Sequence, residues 1–314
     1  MNPPSPCTHQ VELAEPCRID RYIAEIIGAC TRSQLKTRLL HLTVNRKPAK
    51  LGQLVKSGDV LSYELAAPEE LSLVPEAMEL DILYEDDDVI VINKPTGLVV
   101  HPAAGNHTGT LVHGILYHTK ELAEADFDDA ARPGIVHRLD KETSGVMIVA
   151  KDERCHAYLA AQFAARSTDK RYLALAWGAV PSNPFSVKGC IRRDPRQRQR
   201  FAWHESEGKA AHTDFSIRAH NGKFQLLEAH LHTGRTHQIR VHLNHAHVPI
   251  IGDTVYGVFP KGVTAARCML HAWKLSIKLP SDQEMHHFTA VPPQDFAACA
   301  ASLSLAIPGN REQA

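Results

Sequence analysis

Pro133-Gly134-Ile135-Val136-His137-Arg138-Leu139-Asp140-Lys141-Glu142-Thr143-Ser144-Gly145-Val146-Met147-Ile148-Val149-Ala150 sets a loop dense in charge directly before a strand that has none. The apolar run after Gly145 is too short for a helix and follows a turn residue, which marks a strand buried on both faces. Asp140 stands at the mouth of that strand between Arg138 and Lys141. A carboxylate among cations at the edge of a core suits a nucleophile or a base, although a structural ion pair is the commoner meaning of Arg near Asp.

Similar patterns recur outward from this stretch. Residues 82–84, an acidic turn over 85–88 and residues 89–92 read as a hairpin ending at Lys94-Pro95. Further strands are expected over 172–177, 213–217, 224–232 and 270–278, and helices over 153–166 and 235–246. Many strands with few helices between them imply an α+β fold with a mixed, mainly antiparallel sheet rather than a regular βαβ alternation.

Upstream, charge comes in blocks. Residues 18–65 hold nine basic and four acidic side chains, a net of +5, whereas 66–88 hold nine acidic side chains and no Lys or Arg. The switch reads as a small basic α/β domain over 18–65, an acidic linker over 66–78 and a larger catalytic domain over 79–300. Within the first, helices are expected around 19–27 and 33–40 and strands over 42–46 and 60–64. So small a unit is expected to bury little core. Arg32 and Lys36 share a helix face, which with Arg38 is either a phosphate-binding surface or an ordinary solvated one. The tails, 1–16 and 301–314, carry no readable motif and are expected to be mobile.

Composition narrows the function classes. The 314 residues balance 35 basic against 35 acidic side chains, so any nucleic-acid site must be local rather than a uniform basic coat. Nothing approaches a membrane span and no basic leader precedes an apolar run, so a cytoplasmic protein is expected. Seven cysteines without a C-x-x-C pair read as reduced thiols. P-loop, G-x-G-x-x-G, G-x-S-x-G and H-E-x-x-H patterns are missing, against an ATPase, dehydrogenase, esterase or zincin. The run from Leu231 to His242, L-H-T-G-R-T-H-Q-I-R-V-H, puts Arg235, His237 and Arg240 on a turn and helix as donors for a phosphate or carboxylate. Tyr172, in Lys170-Arg171-Tyr172, is either a core aromatic or a stacking platform for a base.

Four motifs in order, N-K-P-T-G-L-V-V-H-P from Asn93, H-R-L-D-K-E-T-S-G-V from His137, K-R-Y-L-A from Lys170 and T-G-R-T-H-Q-I-R-V-H from Thr233, resemble the RluA-type pseudouridine synthases. Residues 99–112 look like the branch that modifies large-subunit (23S) ribosomal RNA, and 18–65 resembles the alpha-L RNA-binding domain that precedes it. Arg46 stands where that domain usually has a turn glycine, and Ala210 and Phe215 replace a frequent proline and tyrosine. The resemblance implies Asp140 as catalytic aspartate and Arg240 as its basic partner. It implies Tyr172 as the residue stacking on the target base and Arg138 as the one filling the space of the flipped-out uridine. Arg235, His237 and Gln238 share the last motif, near the RNA, and His137 lies beside Arg138. Leu275 is expected to supply an apolar wall, and the basic domain, with Arg32, Lys36 and Arg38, to grip RNA.

The implied reaction needs no cofactor and no metal. Asp140 would attack or assist at the ribose carbon, or take the 2′ proton; the residues leave both routes open. A tRNA-directed synthase, a non-catalytic RNA-binding ribosome-assembly factor, and a zinc protein using the histidines of 235–247 are the competing readings. A monomer is the simplest expectation.

Overall fold

The computed structural model describes residues 6–30, 32–66, 73–102, 105–119, 122, 132–197, 200–257, 260 and 262–308. The chain divides into two units between Leu71 and Ser72. Residues 67–72 of the expected linker, and Ala103 and Ala104 of the motif over 99–112, lie outside the described residues.

The first unit contains β1 (Cys7–Gln10), β2 (Cys17–Arg18), α1 (Ile19–Arg21, continuing as a π-helix over Tyr22–Ile27), α2 (Arg32–Arg38), β3 (Leu39–Val44), β4 (Lys47–Pro48), β5 (Leu54–Val55) and β6 (Val60–Leu65). Gly28, at φ 73, ends the π-helix in the left-handed conformation. Four strands form a sheet in the order β1-β6-β3-β4. The expectation of a mobile N-terminal tail is corrected here: β1 pairs antiparallel with β6, and Val11 is fully buried. The expectation of little core is corrected too, since ten buried side chains, among them Ile19, Tyr22, Ile23, Leu35, Leu61 and Tyr63, form one cluster. Asn45 and Arg46 are both left-handed, at φ 51 and 63, and make the two-residue turn between β3 and β4. Arg46 thus adopts the geometry a glycine would take, and Asn45 braces the turn through Asp59 and the Val60 N–H.

The second unit contains β7 (Ile82–Glu85), β8 (Val89–Lys94), α3 (Leu111–His118), β9 (Ser144–Ala150), α4 (Glu153–Ala165), β10 (Asp169–Trp177), β11 (Phe185–Arg193), β12 (Phe201–His204), β13 (Lys209–Asn221), β14 (Phe224–Leu231), α5 (Gln238–His245), β15 (Leu270–Lys278), β16 (Met285–Thr289) and α6 (Gln294–Ser302). Ten strands make one sheet, β12-β11-β13-β14-β10-β15-β9-β8-β7, with β16 also on β15. The β9–β15 pair is parallel and the other pairs are antiparallel. The fold is therefore α+β with a mixed, mainly antiparallel sheet.

The unbroken apolar runs of β8 and β9 follow from burial on both faces. Ile90, Ile92, Met147 and Val149 pack with Leu111 and Ile115 of α3, while Val89, Val91, Val146 and Ile148 pack with Cys155 and Leu159 of α4. At the C-terminal end, where mobility was expected, Leu303 and Leu305 are buried in the main core beside Phe296.

In the first unit, Asp20 is buried and accepts bonds from Arg18 at 3.0 Å and Arg32 at 2.8 Å. The hydrogen bond from Arg18, aided by Arg32 and opposed by burial, holds its carboxyl at about 2 instead of 3.8. Between those values the unfolded chain binds the extra proton, so this stabilisation is full above pH 3.8 and is lost as pH falls toward 2. Pepsin cutting within residues 18–38 of the full chain, normalised at each pH to cutting of an unfolded control substrate, should accordingly rise from pH 4 to 2, and Asp20→Asn should flatten that rise; an unchanged rise in the variant would contradict the assignment.

Candidate active site

The loop carrying Asp140 is fastened at both ends by backbone. Gly134 approaches β9 so closely that a Cβ would lie 2.2 Å from the Ala150 carbonyl oxygen, and at φ +69 only glycine fits without strain. Beyond it, the Ile148 N–H donates to His137 Nε2 at 3.0 Å, and the His137 ring stacks on Phe163 at 4.6 Å. Burial, with the charge of Lys170, lowers His137 to about 3, so it remains a neutral acceptor. Leu139 is buried against the α3 cluster. Past Asp140, its carbonyl accepts from the Thr143 N–H at 3.0 Å, the Lys141 carbonyl from the Gly97 N–H at 2.8 Å, and the Glu142 carbonyl from Arg267 at 3.1 Å.

Lys94, at the end of β8, is fully buried and donates to the carbonyls of Pro95, Leu98 and Lys141 at 2.7, 2.9 and 3.4 Å. Burial pulls its ammonium down to about 7; the charge of Asp140 opposes this and that of Arg267 adds to it. Arg267 is buried as well and ties the same loop to Asp295 at the start of α6.

Against this loop α5 presents Arg240. Its Nε and Nη2 hold both carboxylate oxygens of Asp253 at 2.8 Å each, while Nη1 points to Asp140 Oδ2 at 3.5 Å. Burial disfavours the charge of Arg240, but the hydrogen bonds and charge of Asp253, with the charge of Asp140, more than offset it, and its pKa is raised. Asp253 is driven up by burial and further down by Arg240 and the N–H groups of Tyr256 and Val255, for a net lowering.

His237 contributes a second contact, Nε2 lying 3.8 Å from Asp140 Oδ2. The Tyr256 hydroxyl accepts from the Phe201 N–H at 2.8 Å, so its own proton is available to His237 Nδ1 at 2.9 Å. That assignment puts the imidazole proton on Nε2, facing Asp140. Burial lowers the His237 pKa, against the pull of Asp140.

Tyr172 on β10 completes the group. Burial and the charge of Asp140 raise its pKa, so it stays a neutral phenol. Tyr172, Asp140, Arg138, Leu231 and Arg235 line both a cavity of about 360 Å³ and a smaller one of about 60 Å³ that Arg240 and His237 also border. The larger volume is within the range of small-molecule sites, roughly 300–1,000 Å³.

Asp140, Tyr172, Arg240, Arg138, Arg235 and His237 therefore meet at one place. Arg138 is exposed on the rim, and Arg235 is anchored through Nε to the Ala210 carbonyl at 3.0 Å. Among the described residues the cation paired with Asp140 is Arg240, with His237 Nε2 beside it, and not the sequence neighbours Arg138 and Lys141. The expected helix over 235–246 is corrected as well: it begins at Gln238, because His237 is left-handed at φ 56 and keeps Arg235 and Thr236 in the preceding loop.

Gln238 is buried, borders the smaller cavity and spends its amide on the surrounding loop. Its amide oxygen accepts from Thr233 and the Arg235 N–H, and its nitrogen donates to the His212 carbonyl and Thr213. Leu275 is not the apolar wall: it packs with Ile277, Phe288 and Leu159, and the wall residue on β15 is Leu270, five positions away or roughly 16 Å along a strand. In the first unit Arg32 is held by Asp20, Arg38 donates to the Ala66 carbonyl, and Lys36 is exposed. His242 contacts Thr213 and His245 stacks on Trp203 at 3.8 Å, so the histidines of 235–247 form no cluster of three metal donors among the described residues. Lys94, Asp253 and Tyr256 escaped the sequence reading, although Lys94 stands inside the N-K-P-T-G motif.

A family model described as RNA pseudouridylate synthase matches residues 88–245. A ribosomal large subunit pseudouridine synthase D from Neisseria meningitidis serogroup A is 42% identical over 292 residues, 89% of this chain and 76% of that protein. A protein of the same name from Zymomonas mobilis is 37% identical over 304 residues, 92% of this chain and 95% of the relative. In solved structures, human RNA pseudouridylate synthase domain containing 4 is similar with a TM-score of 0.56 at 25% identity, over 73% of this chain and 94% of that one.

The bidentate pair makes Asp253 the positioning residue for Arg240. Asp253→Asn should lower kcat by about a hundredfold with KM within a few-fold, because a slightly displaced charge mainly affects the reacting state. Steady-state kinetics on the folded variant check this, and an unchanged kcat would contradict it.

Proposed function

The chain belongs to the RNA pseudouridylate synthase family, and from that premise we propose that it isomerises uridines of large-subunit ribosomal RNA, with Asp140 acting at the ribose. The enzyme is an isomerase: the N1–C1′ bond of uridine breaks, the uracil turns, and C5 bonds to C1′ while the C5 hydrogen leaves and N1 gains one. The observation that carries the residue assignment is the meeting of Asp140, Arg240 and Tyr172 at one cavity. The carboxylate faces the space where the sugar would lie, and Arg240 supplies a fixed positive charge 3.5 Å from it.

A uridine in folded RNA reaches this space by leaving its stack, at a cost of a few kcal/mol. Tyr172 offers the extruded base a neutral aromatic face, worth about 1–3 kcal/mol. Arg138, exposed on the rim, is the residue assigned to the vacancy left in the RNA. The large-subunit substrate rests on the relatives from Neisseria and Zymomonas, whose names carry it and which this chain matches over nearly its whole length.

In this proposal residues 18–65 form an alpha-L-type RNA arm and 79–300 the catalytic domain. Within the arm, Arg32 and Arg38 have internal partners, so phosphate contacts are assigned to the exposed Lys36, Arg46, Lys47, Lys50 and Lys56.

Tritium release from RNA labelled at C5 of uridine tests the substrate class. Large-subunit rRNA, free or in assembled subunits, should release tritium, and a tRNA transcript should not; release from tRNA alone would overturn the rRNA assignment.

A further inference from the structure

A second cavity of about 470 Å³ adjoins the first, and both are lined by Gly234, Arg235 and Thr236. Its other walls are the ends of β11 and β12 and the start of β13: Arg192, Arg193, Phe201 and Lys209, with Gly208. Its lining holds four cationic side chains and no acidic one among the described residues. Glu207 pairs with Arg192 through Nη1, yet Arg192 Nε is buried with no hydrogen-bond partner among the described residues. The Arg192 side chain as a whole is 39% exposed, so that N–H, at the edge of the cavity, is open to an acceptor on a ligand or on water.

The cavity also offers an aromatic face. The Arg193 guanidinium lies over the Phe201 ring at 5.2 Å, His237 meets that ring at 5.6 Å with the planes 76° apart, and the ring also packs on the apolar cluster of Ile191, Ala211, Val241 and Tyr256. Phe201 is fixed in turn by its N–H to Tyr256. Gly208, whose Cβ would sit 2.6 Å from the Ile191 carbonyl oxygen, lets the chain pass close to β11, and at Gly234 the wall shared by the two cavities carries no side chain.

We propose that this cavity binds the RNA nucleotide adjoining the target uridine, its phosphate on Arg192, Arg193 and Lys209 and its base against Phe201. Cations beside a ring match a phosphodiester joined to a planar base, and the shared wall at Gly234–Thr236 lets one strand occupy both cavities. The inference rests on the RNA substrate argued above and adds a place where the strand next to the target is held.

Tritium release from labelled large-subunit rRNA, measured as kcat, KM and the dependence of kcat/KM on salt, tests it with two variants. Arg193→Gln/Lys209→Gln should raise KM at least tenfold and reduce the salt slope by about 1.4, the loss of two single-strand phosphate contacts, with kcat within twofold. Phe201→Leu should raise KM by about tenfold with the salt slope unchanged, since stacking releases no counterions. Wild type that releases tritium while both variants keep KM and slope overturns the second cavity alone. Wild type that releases none from free RNA or assembled subunits overturns the functional reading, and this inference with it.

Discussion

Arg240 holds the site together because its three nitrogens are divided between two carboxylates. Two of them close on Asp253, and the third is left at 3.5 Å from Asp140. A buried guanidinium needs a well-matched counterion, and a bidentate carboxylate supplies it without engaging the atom that faces the cavity. Asp253 therefore satisfies the charge, and Asp140 is influenced by it without being locked into a tight pair. A carboxylate at that distance keeps access to a substrate atom, as a nucleophile or base must.

The same division of labour extends to the backbone. The carbonyls of residues 140–142 accept bonds from Thr143, Gly97, Lys94 and Arg267, so the loop has little freedom to follow its charged side chains. Lys94 and Arg267 are both removed from water: Lys94 donates to main-chain oxygens, and Arg267 divides its donors between main-chain oxygens and the Asp295 carboxylate, so neither is spent on Asp140. Rigid fastening of this kind is what a reaction needing one carboxylate in one place requires. Arg138, by contrast, stands exposed on the rim, and Arg235 beside it is half-buried and held by the Ala210 carbonyl.

Much of this was legible in the sequence, for reasons that differ by element. The apolar runs of β8 and β9 announce burial on both faces, and α4 shows helical spacing bounded by the Asp152 cap. β11 escaped because Gly189 takes an inward position of its alternation, where it leaves room for the Trp203 ring. α3 is apolar on most sides, with Gly114 facing Met78, and α6 is largely alanine, so neither shows a clear periodic face. Asp140, Tyr172 and Arg240 stood out as motif residues. Asp253 did not, since it lies on an irregular loop 13 positions from Arg240 and no spacing rule links them. Lys94 looks like a surface lysine in any composition argument; only its three carbonyl acceptors reveal a buried one. Leu275 failed for a simple reason: strand periodicity indicates which face a residue takes, and not how far along the strand the cavity lies.

The central claim is that the Asp140 carboxylate acts on the reacting ribose rather than on RNA binding. The most direct measurement is single-turnover tritium release by Asp140→Asn at saturating RNA, alongside its affinity for the same RNA. The account predicts a rate lower by at least a thousandfold with the dissociation constant within a few-fold of wild type. A near-normal rate, or a loss traced entirely to weaker binding, would contradict it.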